Sequence, residues 1–182
     1  MKTRIITESE DHSTREVYTI NLDQPAPDED LPADDGTRDY PYGKTTATAG
    51  DYHKNHETEG DPNFAVDNDP STIFHTPWEG TDKSNFWITL EMEEAAEIDA
   101  LRYLSRSGSS NGIVNEYKVE TSLDNETWEE VSIGNWSGET STWSIAEFDE
   151  PRESKYVRLT ALSTYGDGNQ ADQFMTAEEI RL

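Results

Sequence analysis

Apolar and polar residues alternate along most of this chain. In the segment 116–122, for example, Tyr117, Val119 and Thr121 fall on one side while the intervening residues are charged. The segment 155–161 alternates in the same way. Successive side chains of a β-strand point to opposite faces of a sheet, so this period predicts strands with one buried face.

Turn-forming stretches separate the alternating segments, at 107–112, 124–125 and 149–151. The predicted strands are Thr45–Ala49, Phe86–Met92, Ile98–Ser105, Glu116–Ser122, Glu129–Ile133, Thr142–Ala146, Lys155–Ala161 and Ala177–Leu182. No segment of useful length has the helical period. Short strands at this spacing predict an all-β fold, either a β-sandwich or a jelly roll.

Two N-terminal segments differ from this pattern. Residues 1–24 contain one strand-like run, Glu16–Leu22, which resembles the closing strand of cadherin-like or immunoglobulin-like repeats. The alternative is a tail without structure of its own. Residues 25–40 are rich in Pro, Asp and Glu and cannot bury enough apolar surface to fold, so we interpret them as a linker. The main domain is therefore predicted to span 41–182.

Four tryptophans lie within the predicted domain besides Trp78, which is considered below. We expect Trp87, Trp128 and Trp143 to pack in the core or on the sheets. Trp136 follows a turn-like Gly-Asn pair and could be exposed.

Composition fits one core of ordinary size, with 182 residues of which 32% are hydrophobic. No apolar run is long enough to cross a bilayer. The first twelve residues lack the apolar segment of a signal peptide, so we expect an intracellular protein or, in preference, a piece of a longer exported chain. Cysteine is absent, which excludes disulfides, thiol catalysis and cysteine zinc sites.

The net charge of -25 excludes two classes of partner. Nucleic acids and anionic membranes are bound by clustered Lys and Arg, and this surface would repel them. We therefore expect no nucleic acid and no membrane insertion. The same charge favours the binding of cations.

One stretch, Asn63–Trp78, combines two kinds of chemistry. Its first half offers oxygen ligands of the type that bind hard cations such as calcium. These are Asp67, Asn68, Asp69, Ser71 and Thr72. Its second half offers an imidazole and an indole, His75 and Trp78, which together suit a small polar ligand. The alternative for the first half is a turn whose acidic side chains bond to their own backbone.

The order and spacing of five segments resemble the discoidin or coagulation factor 5/8 type C fold. Within that fold the chain looks like family 32 carbohydrate-binding modules. The segments are Asn63–Trp78, Phe86–Leu90, Leu123–Trp128, Tyr156–Leu159 and Ala177–Ile180. The resemblance covers about 43–182 and implies a discoidin-like, galactose-binding-domain-like β-sandwich.

The resemblance also implies a buried structural Ca²⁺ that ties the first loop to the last strand. The backbone carbonyls of Phe64, Asp69 and Glu178 would bind it. The side chains of Asp67, Thr72 and Glu179 would complete the shell. Magnesium or sodium is possible, but irregular ligation by carbonyl oxygens suits calcium better.

The sugar site implied by the resemblance uses a His and a Trp three apart, an Arg and an Asn five apart, and an aromatic residue from a late loop. The early positions are His75, Trp78, Arg106 and Asn111. For the late aromatic residue we favour Tyr165, because its polar, glycine-containing loop offers little core to join, and we expect Phe174 to lie nearer the core. An acid from an early loop, Glu57 or Glu59, would add a hydroxyl contact.

Together these features predict a non-catalytic module that recognises terminal galactose-type sugars, namely galactose, GalNAc or N-acetyllactosamine. It would be a monomer, linked covalently to neighbouring domains of a larger secreted or cell-surface enzyme that degrades glycans. No nucleophile motif, phosphate loop or His-rich zinc motif is present, and with 39 acidic residues a carboxyl pair carries no information about glycosidase activity. The alternatives are a discoidin-type adhesion module that binds a protein or lipid surface, and a structural spacer.

Overall fold

The computed structural model describes residues 39–41 and 43–182 in full, and the backbone of residues 2–8 and 15–21. The chain divides into two compact units, Met1–Asp30 and Leu31–Leu182. In the first unit, β1 (Lys2–Glu8) and β2 (Arg15–Asn21) form an antiparallel hairpin. The strand expected at 16–22 is therefore present up to residue 21, and the alternation pattern does not predict its partner. Most of the proposed linker lies outside the described residues.

The described part of the second unit contains strands and two short 3-10 helices, Pro62–Ala65 and Lys83–Asn85. Its strands are β3 (Thr45–Ala49), β4 (Glu59–Gly60), β5 (Ile73–His75), β6 (Trp87–Leu104), β7 (Glu116–Ser122), β8 (Glu129–Asn135), β9 (Trp143–Ala161), β10 (Thr176–Ala177) and β11 (Glu179–Arg181). The all-β prediction is confirmed. No helix among the described residues is long and apolar enough to cross a membrane.

Two long antiparallel strands, β6 and β9, organise the larger sheet. On one side β6 pairs with β3 and β11, and on the other β9 pairs with β7, which pairs with β8. Two predicted strands have merged into β6 and two into β9. Register shifts at Glu91/Ala96 and Ile98/Ala100 let both strands bend and continue, whereas the sequence suggested that each ends. A β-bulge lets a strand bend without ending, so acidic and Pro-containing stretches can remain inside it.

A small second sheet has the order β10-β5-β4. β5 runs antiparallel to β10, with His75 opposite Thr176, and parallel to β4, with Ile73 opposite Glu59. These strands have two or three residues each, which is too short to show a period in the sequence. The sheet brings three distant loops together at one end of the module.

The core lies against the inward faces of β6, β7 and β9, where Ile88, Leu90, Val119, Val157 and Leu159 are buried. These are the apolar members of the alternating pattern. Their polar neighbours lie on the opposite face of the sheet, as the period of two requires.

The tryptophans mostly follow expectation. Trp87 and Trp128 flank the guanidinium of Arg158, at 4.9 and 3.9 Å from the ring centroids, and Trp143 lies under Arg102. The suggested exposure of Trp136 is wrong.

Trp136 is buried because two tyrosines of the core enclose it. It stacks on Tyr103 at 4.9 Å and on Tyr117 at 4.1 Å, and its Nε1–H donates to the carbonyl of Ile145. A local turn signal therefore did not reveal a side chain that long-range packing draws inward.

The N-terminal boundary of the module lies earlier than Pro41. The carboxylate of Asp39 accepts hydrogen bonds from Arg102 at 2.9 Å and from Arg181 at 3.2 Å. The backbone N–H of Tyr40 donates to the carbonyl of Leu182. Asp39 and Tyr40 thus belong to the folded module, and the boundary predicted at residue 41 is too late.

Candidate functional site

His75 is the last residue of β5 and pairs with Thr176 of β10. We call the group of loops around its side chain, which carry Trp78, Arg106 and Phe174, the crater. The His75 side chain is 5% exposed, and Nδ1 lies 2.5 Å from the carbonyl oxygen of Thr76. A carbonyl can only accept, so Nδ1 carries the proton and Nε2 of the neutral ring is an acceptor. Burial lowers the pKa of His75, which keeps this neutral form at pH 7.

Arg106 lies in the loop after β6 and carries hydrogen-bond donors. Its charge contributes to the lowered pKa of His75. The Nε atom of Arg106 is buried and has no hydrogen-bond partner among the described residues. Nη1 lies 3.5 Å from the carbonyl of Asn111, at the limit of a hydrogen bond. The guanidinium therefore retains donors for another group.

Asn111 ties the Arg106 loop to the loop after β9. Its Oδ1 accepts from the backbone N–H of Asp167 at 2.8 Å, which leaves its amide NH₂ as a donor. The next residue, Gly112, has φ 83, and a Cβ there would lie 2.8 Å from Cγ2 of Thr176. Glycine is required for this close approach to β10.

The two late aromatic residues have exchanged their expected places. The ring of Phe174 lies 5.3 Å from that of His75, tilted by 58°. Tyr165 instead packs against the core, and its hydroxyl donates to the carbonyl of Trp136 at 3.0 Å. A Cβ on Gly138 would lie 2.9 Å from the Tyr165 ring, so this glycine makes room for the tyrosine. The expectations that Tyr165 has little core to join and that Phe174 lies nearer the core are wrong.

Trp78 stands at the rim of the crater and is 47% exposed. His53 stacks on it with ring centroids 4.1 Å apart and planes 6° apart, and His56 approaches it at 5.4 Å. The backbone N–H of His53 donates to the carbonyl of His75, which fixes this stack beside the crater. The sequence alone does not single out either histidine, because only the fold brings them to Trp78.

The structure distinguishes the two early acids. Glu59 lies on β4, next to β5, and its charge acts on His75. Glu57 precedes that strand and is exposed. Glu59 is therefore the acid that the fold brings toward the crater.

A separate cluster of oxygen atoms forms behind the crater, in the loop 64–72. The Thr72 hydroxyl lies 2.9 Å from Oδ2 of Asp67, 2.9 Å from the carbonyl of Asp69 and 3.5 Å from that of Phe64. A hydroxyl has one proton, so it cannot satisfy all three acceptors. The cluster has more oxygen acceptors than donors, which is the arrangement that a hard cation requires.

Glu179 joins this cluster from β11. It is 2% exposed, and its Oε2 accepts from the backbone N–H of Asn68 at 3.0 Å. Burial raises the pKa of Glu179 to about 8, and burial also raises the pKa of Asp67. A cation at the cluster would reverse both shifts, because it stabilises the ionised carboxylates.

Four of the six predicted metal ligands, in the loop 64–72, thus lie together, and Glu179 reaches the same loop. Glu178 is predicted to contribute its backbone carbonyl, and its side chain turns toward Ser107. No group of three or more His, Cys, Asp or Glu side chains that could hold a metal occurs among the described residues. A metal here would take part of its shell from carbonyl and hydroxyl oxygens.

Comparison with known proteins supports this assignment of the fold. The sequence model of the F5/8 type C domain family matches residues 45–179. The module CpGH89CBM32-5 of Clostridium perfringens, solved in complex with GalNAc-β-1,3-galactose, is 30% identical, with a TM-score of 0.67. The match covers 79% of this chain and 98% of that module.

Two further relatives connect the fold with larger enzymes. CBM32-3 from a family 31 glycoside hydrolase of C. perfringens is 33% identical, with a TM-score of 0.63 over 76% of this chain and 89% of that one. A sialidase of Micromonospora viridifaciens is 32% identical over 108 residues, which are 58% of this chain and 16% of the sialidase. The family match over most of the module and the likeness to nearly complete solved modules lead to one conclusion: the chain belongs to the F5/8 type C domain family and, within it, to the family 32 carbohydrate-binding modules.

Proposed function

We propose that the crater binds terminal galactose-type sugars and that the module, without catalysing a reaction, holds a larger glycan-degrading enzyme on its substrate. The observation that carries this proposal is the set of unused hydrogen-bonding groups around His75. Arg106 keeps a buried Nε–H that has no partner in the described part of the chain, and Nε2 of His75 is an acceptor. Phe174 lies beside them.

This combination suits a pyranose ring. One face of such a ring presents C–H groups, which pack on an aromatic side chain, and its rim presents hydroxyls. A hydroxyl can donate to His75 and accept from Arg106 at the same time. In galactose the axial O4 brings a hydroxyl to the side of the ring opposite to its position in glucose, so a fixed acceptor and donor pair can distinguish the two sugars.

The relatives support this substrate class without establishing it for this chain. The module CpGH89CBM32-5 was solved with a glycan that contains GalNAc and galactose. Other relatives are parts of a glycoside hydrolase and a sialidase, which supports the proposal that this module is linked to a secreted or cell-surface enzyme. We propose that it acts as a monomer, since one crater is a complete site in a single chain.

We also propose that the oxygen cluster binds a structural calcium ion. The donor set fits calcium, since Asp67, Thr72 and Glu179 offer side-chain oxygens and Phe64 and Asp69 offer carbonyls. When bound, the ion would neutralise the buried carboxylates and join the loop 64–72 to β11, which lies more than a hundred residues later. Magnesium fits less well, because it demands regular octahedral geometry.

Titration calorimetry tests the sugar proposal. Galactose, GalNAc and N-acetyllactosamine should bind with a free energy of about -4 kcal/mol, which corresponds to a millimolar constant, and glucose should bind more weakly. His75→Ala and Arg106→Ala should abolish measurable binding. Arg152→Ala is the matched control, because Arg152 pairs with Glu150 on β9 outside the crater. If none of the galactosides binds, or if the crater variants bind as well as the control, the proposal is wrong.

A further inference from the structure

Glu178 connects the end of the chain with the loop that carries Arg106. It lies between β10 and β11, and its backbone N–H donates to the carbonyl of Leu104 at 3.0 Å. Leu104 is the last residue of β6, two residues before Arg106. The Glu178 side chain therefore starts next to the point where the crater loop leaves the sheet.

The Glu178 carboxylate is buried and makes a short hydrogen bond. Its Oε2 accepts from the backbone N–H of Ser107 at 2.7 Å, in the range of charge-assisted bonds. Burial raises the pKa of Glu178, and the Ser107 bonds and the charge of Arg106 oppose this rise. The carboxylate is thus placed within the electrostatic reach of the guanidinium.

The peptide group between Arg106 and Ser107 is held at both ends. The carbonyl of Arg106 accepts from the backbone N–H of Ser141 at 3.2 Å, while the N–H of Ser107 donates to Glu178. The Arg106 side chain itself has weak support, because Nη1 has a 3.5 Å contact and Nε has no partner among the described residues. The position of the guanidinium therefore depends on the backbone that Glu178 fixes.

We infer that the side chain of Glu178 is a positioning residue for sugar binding: its charged carboxylate fixes the peptide that follows Arg106 and thereby sets the position of the guanidinium in the crater. The family resemblance gave this residue a role through its backbone carbonyl alone. The inference rests on the proposed function, because it concerns the same site.

The carboxylate of Glu179, the residue after Glu178, connects the same part of the chain with the oxygen cluster. Glu178 points to the Arg106 loop, and Glu179 bonds to Asn68 in the oxygen cluster. The side chains of Glu178 and Glu179 thus connect the start of β11 with both the crater and the oxygen cluster. A change in the oxygen cluster that displaces β11 would therefore reach Arg106 through Glu178.

Three variants test the inference in titrations with N-acetyllactosamine. Glu178→Ala removes both the acceptor and the charge and should weaken binding by about tenfold, as expected for a misplaced binding group. Glu178→Gln keeps an acceptor for Ser107 and should restore most of the affinity, leaving a loss of about threefold. Glu139→Ala, at an exposed position in the loop between β8 and β9, is the control and should bind as the unchanged protein does.

A readout without ligand separates this inference from the proposed function. The NMR signal of the Arg106 Nε–H should exchange slowly with solvent in the unchanged protein and in Glu178→Gln, and quickly in Glu178→Ala. If the unchanged protein binds galactosides while Glu178→Ala keeps both full affinity and the slow exchange, the inference is overturned. If no galactoside binds, the proposed function fails. The solvent exchange of the Arg106 Nε–H then decides alone whether Glu178 positions Arg106. If Glu178→Ala does not fold, Glu178→Gln decides, and an affinity equal to that of the unchanged protein overturns the role of the charge.

Discussion

The oxygen cluster and the crater share two chain segments but have opposite hydrogen-bonding balance. Both draw on the stretch 63–78 and on the last strands of the chain. In the cluster one hydroxyl proton of Thr72 faces three oxygen acceptors. In the crater Arg106 and Asn111 retain donors, while Nε2 of His75 is an acceptor.

This difference separates a stabilising site from a recognition site. A cation that binds the cluster only in the folded state stabilises that state, so the cluster contributes to stability when it is loaded. The crater is partly open at its rim, where Trp78 is exposed, so water occupies it until a ligand replaces the water. Loading the first region should therefore change the stability of the fold, and altering the second should change affinity.

Calcium should produce the largest effect on stability. At a hundred times its dissociation constant, a ligand that binds the folded state alone stabilises it by about 2.7 kcal/mol. For a module of this size the melting temperature should then rise by roughly 5–10 °C, as scanning calorimetry in calcium and in EDTA would show. Asp67→Ala should remove the calcium-dependent part. Equal melting temperatures in calcium and EDTA would contradict the assignment of the cluster.

The second largest effect should be the pH dependence of stability in EDTA, which removes calcium from the protein. The folded-state pKa of Glu179 is raised to about 8 from an ordinary value of 4.5. Between these values the folded state binds a proton that the unfolded chain has lost, so the stability present below pH 4.5 falls as the pH rises to 8. We expect stability in EDTA to decrease across this range, by at most about 1.4 kcal/mol per pH unit for this one group.

Calcium should make stability less dependent on pH, because it favours the ionised carboxylate of Glu179. Urea unfolding at several pH values, in EDTA and in calcium, measures the difference. Glu179→Gln is the matched control, since it has no carboxyl group to titrate and its slope should not depend on calcium. Identical slopes for the unchanged protein in the two conditions would show that Glu179 does not face a cation.

Two aromatic substitutions should separate affinity from stability. Phe174→Ala removes the ring beside His75 and should weaken galactoside binding by about tenfold, or about 1.4 kcal/mol, with little change in melting temperature. Tyr165→Phe removes the hydroxyl that bonds to Trp136 and should cost about 1 kcal/mol of stability while leaving affinity unchanged. If Tyr165→Phe lost affinity while Phe174→Ala kept it, Tyr165 rather than Phe174 would be the aromatic residue that contacts the sugar.

The smallest effect concerns the pH dependence of binding. Burial lowers the pKa of His75, so less than half of its rings should be protonated at pH 6.5, where an ordinary histidine is half protonated. We therefore expect galactose affinity to fall by less than twofold from pH 8 to pH 6.5 in calcium. A twofold loss at pH 6.5 would indicate that His75 titrates normally.

Sequence could predict the long strands because burial on a sheet repeats every two residues, as in β7. It could not predict β4, β5 or β10, which are too short for a period, although these strands assemble the crater. The sequence predicted two strands in place of each of β6 and β9. A bulge and a turn have similar composition, but only the turn ends a strand.

Local motifs suggest some residues of the proposed site, whereas packing decides others. His75 and Trp78, or Arg106 and Asn111, match the pairs that the family resemblance implies. The choice between Tyr165 and Phe174 depends on how the loop 163–175 folds back on Trp136, which no local pattern encodes. One signal was present, since Phe174 lies just before the strand that pairs with His75.

The central claim, that the crater is where a galactose-type sugar binds, is tested most directly by a two-dimensional NMR titration with galactose in calcium. The account predicts that amide shifts change in the loops around His75, Arg106 and Phe174. Amides of the distant groove between β8 and β9, around Ile133 and Glu147, should not move. Changes confined to that groove, or no changes at all at millimolar galactose, would contradict it.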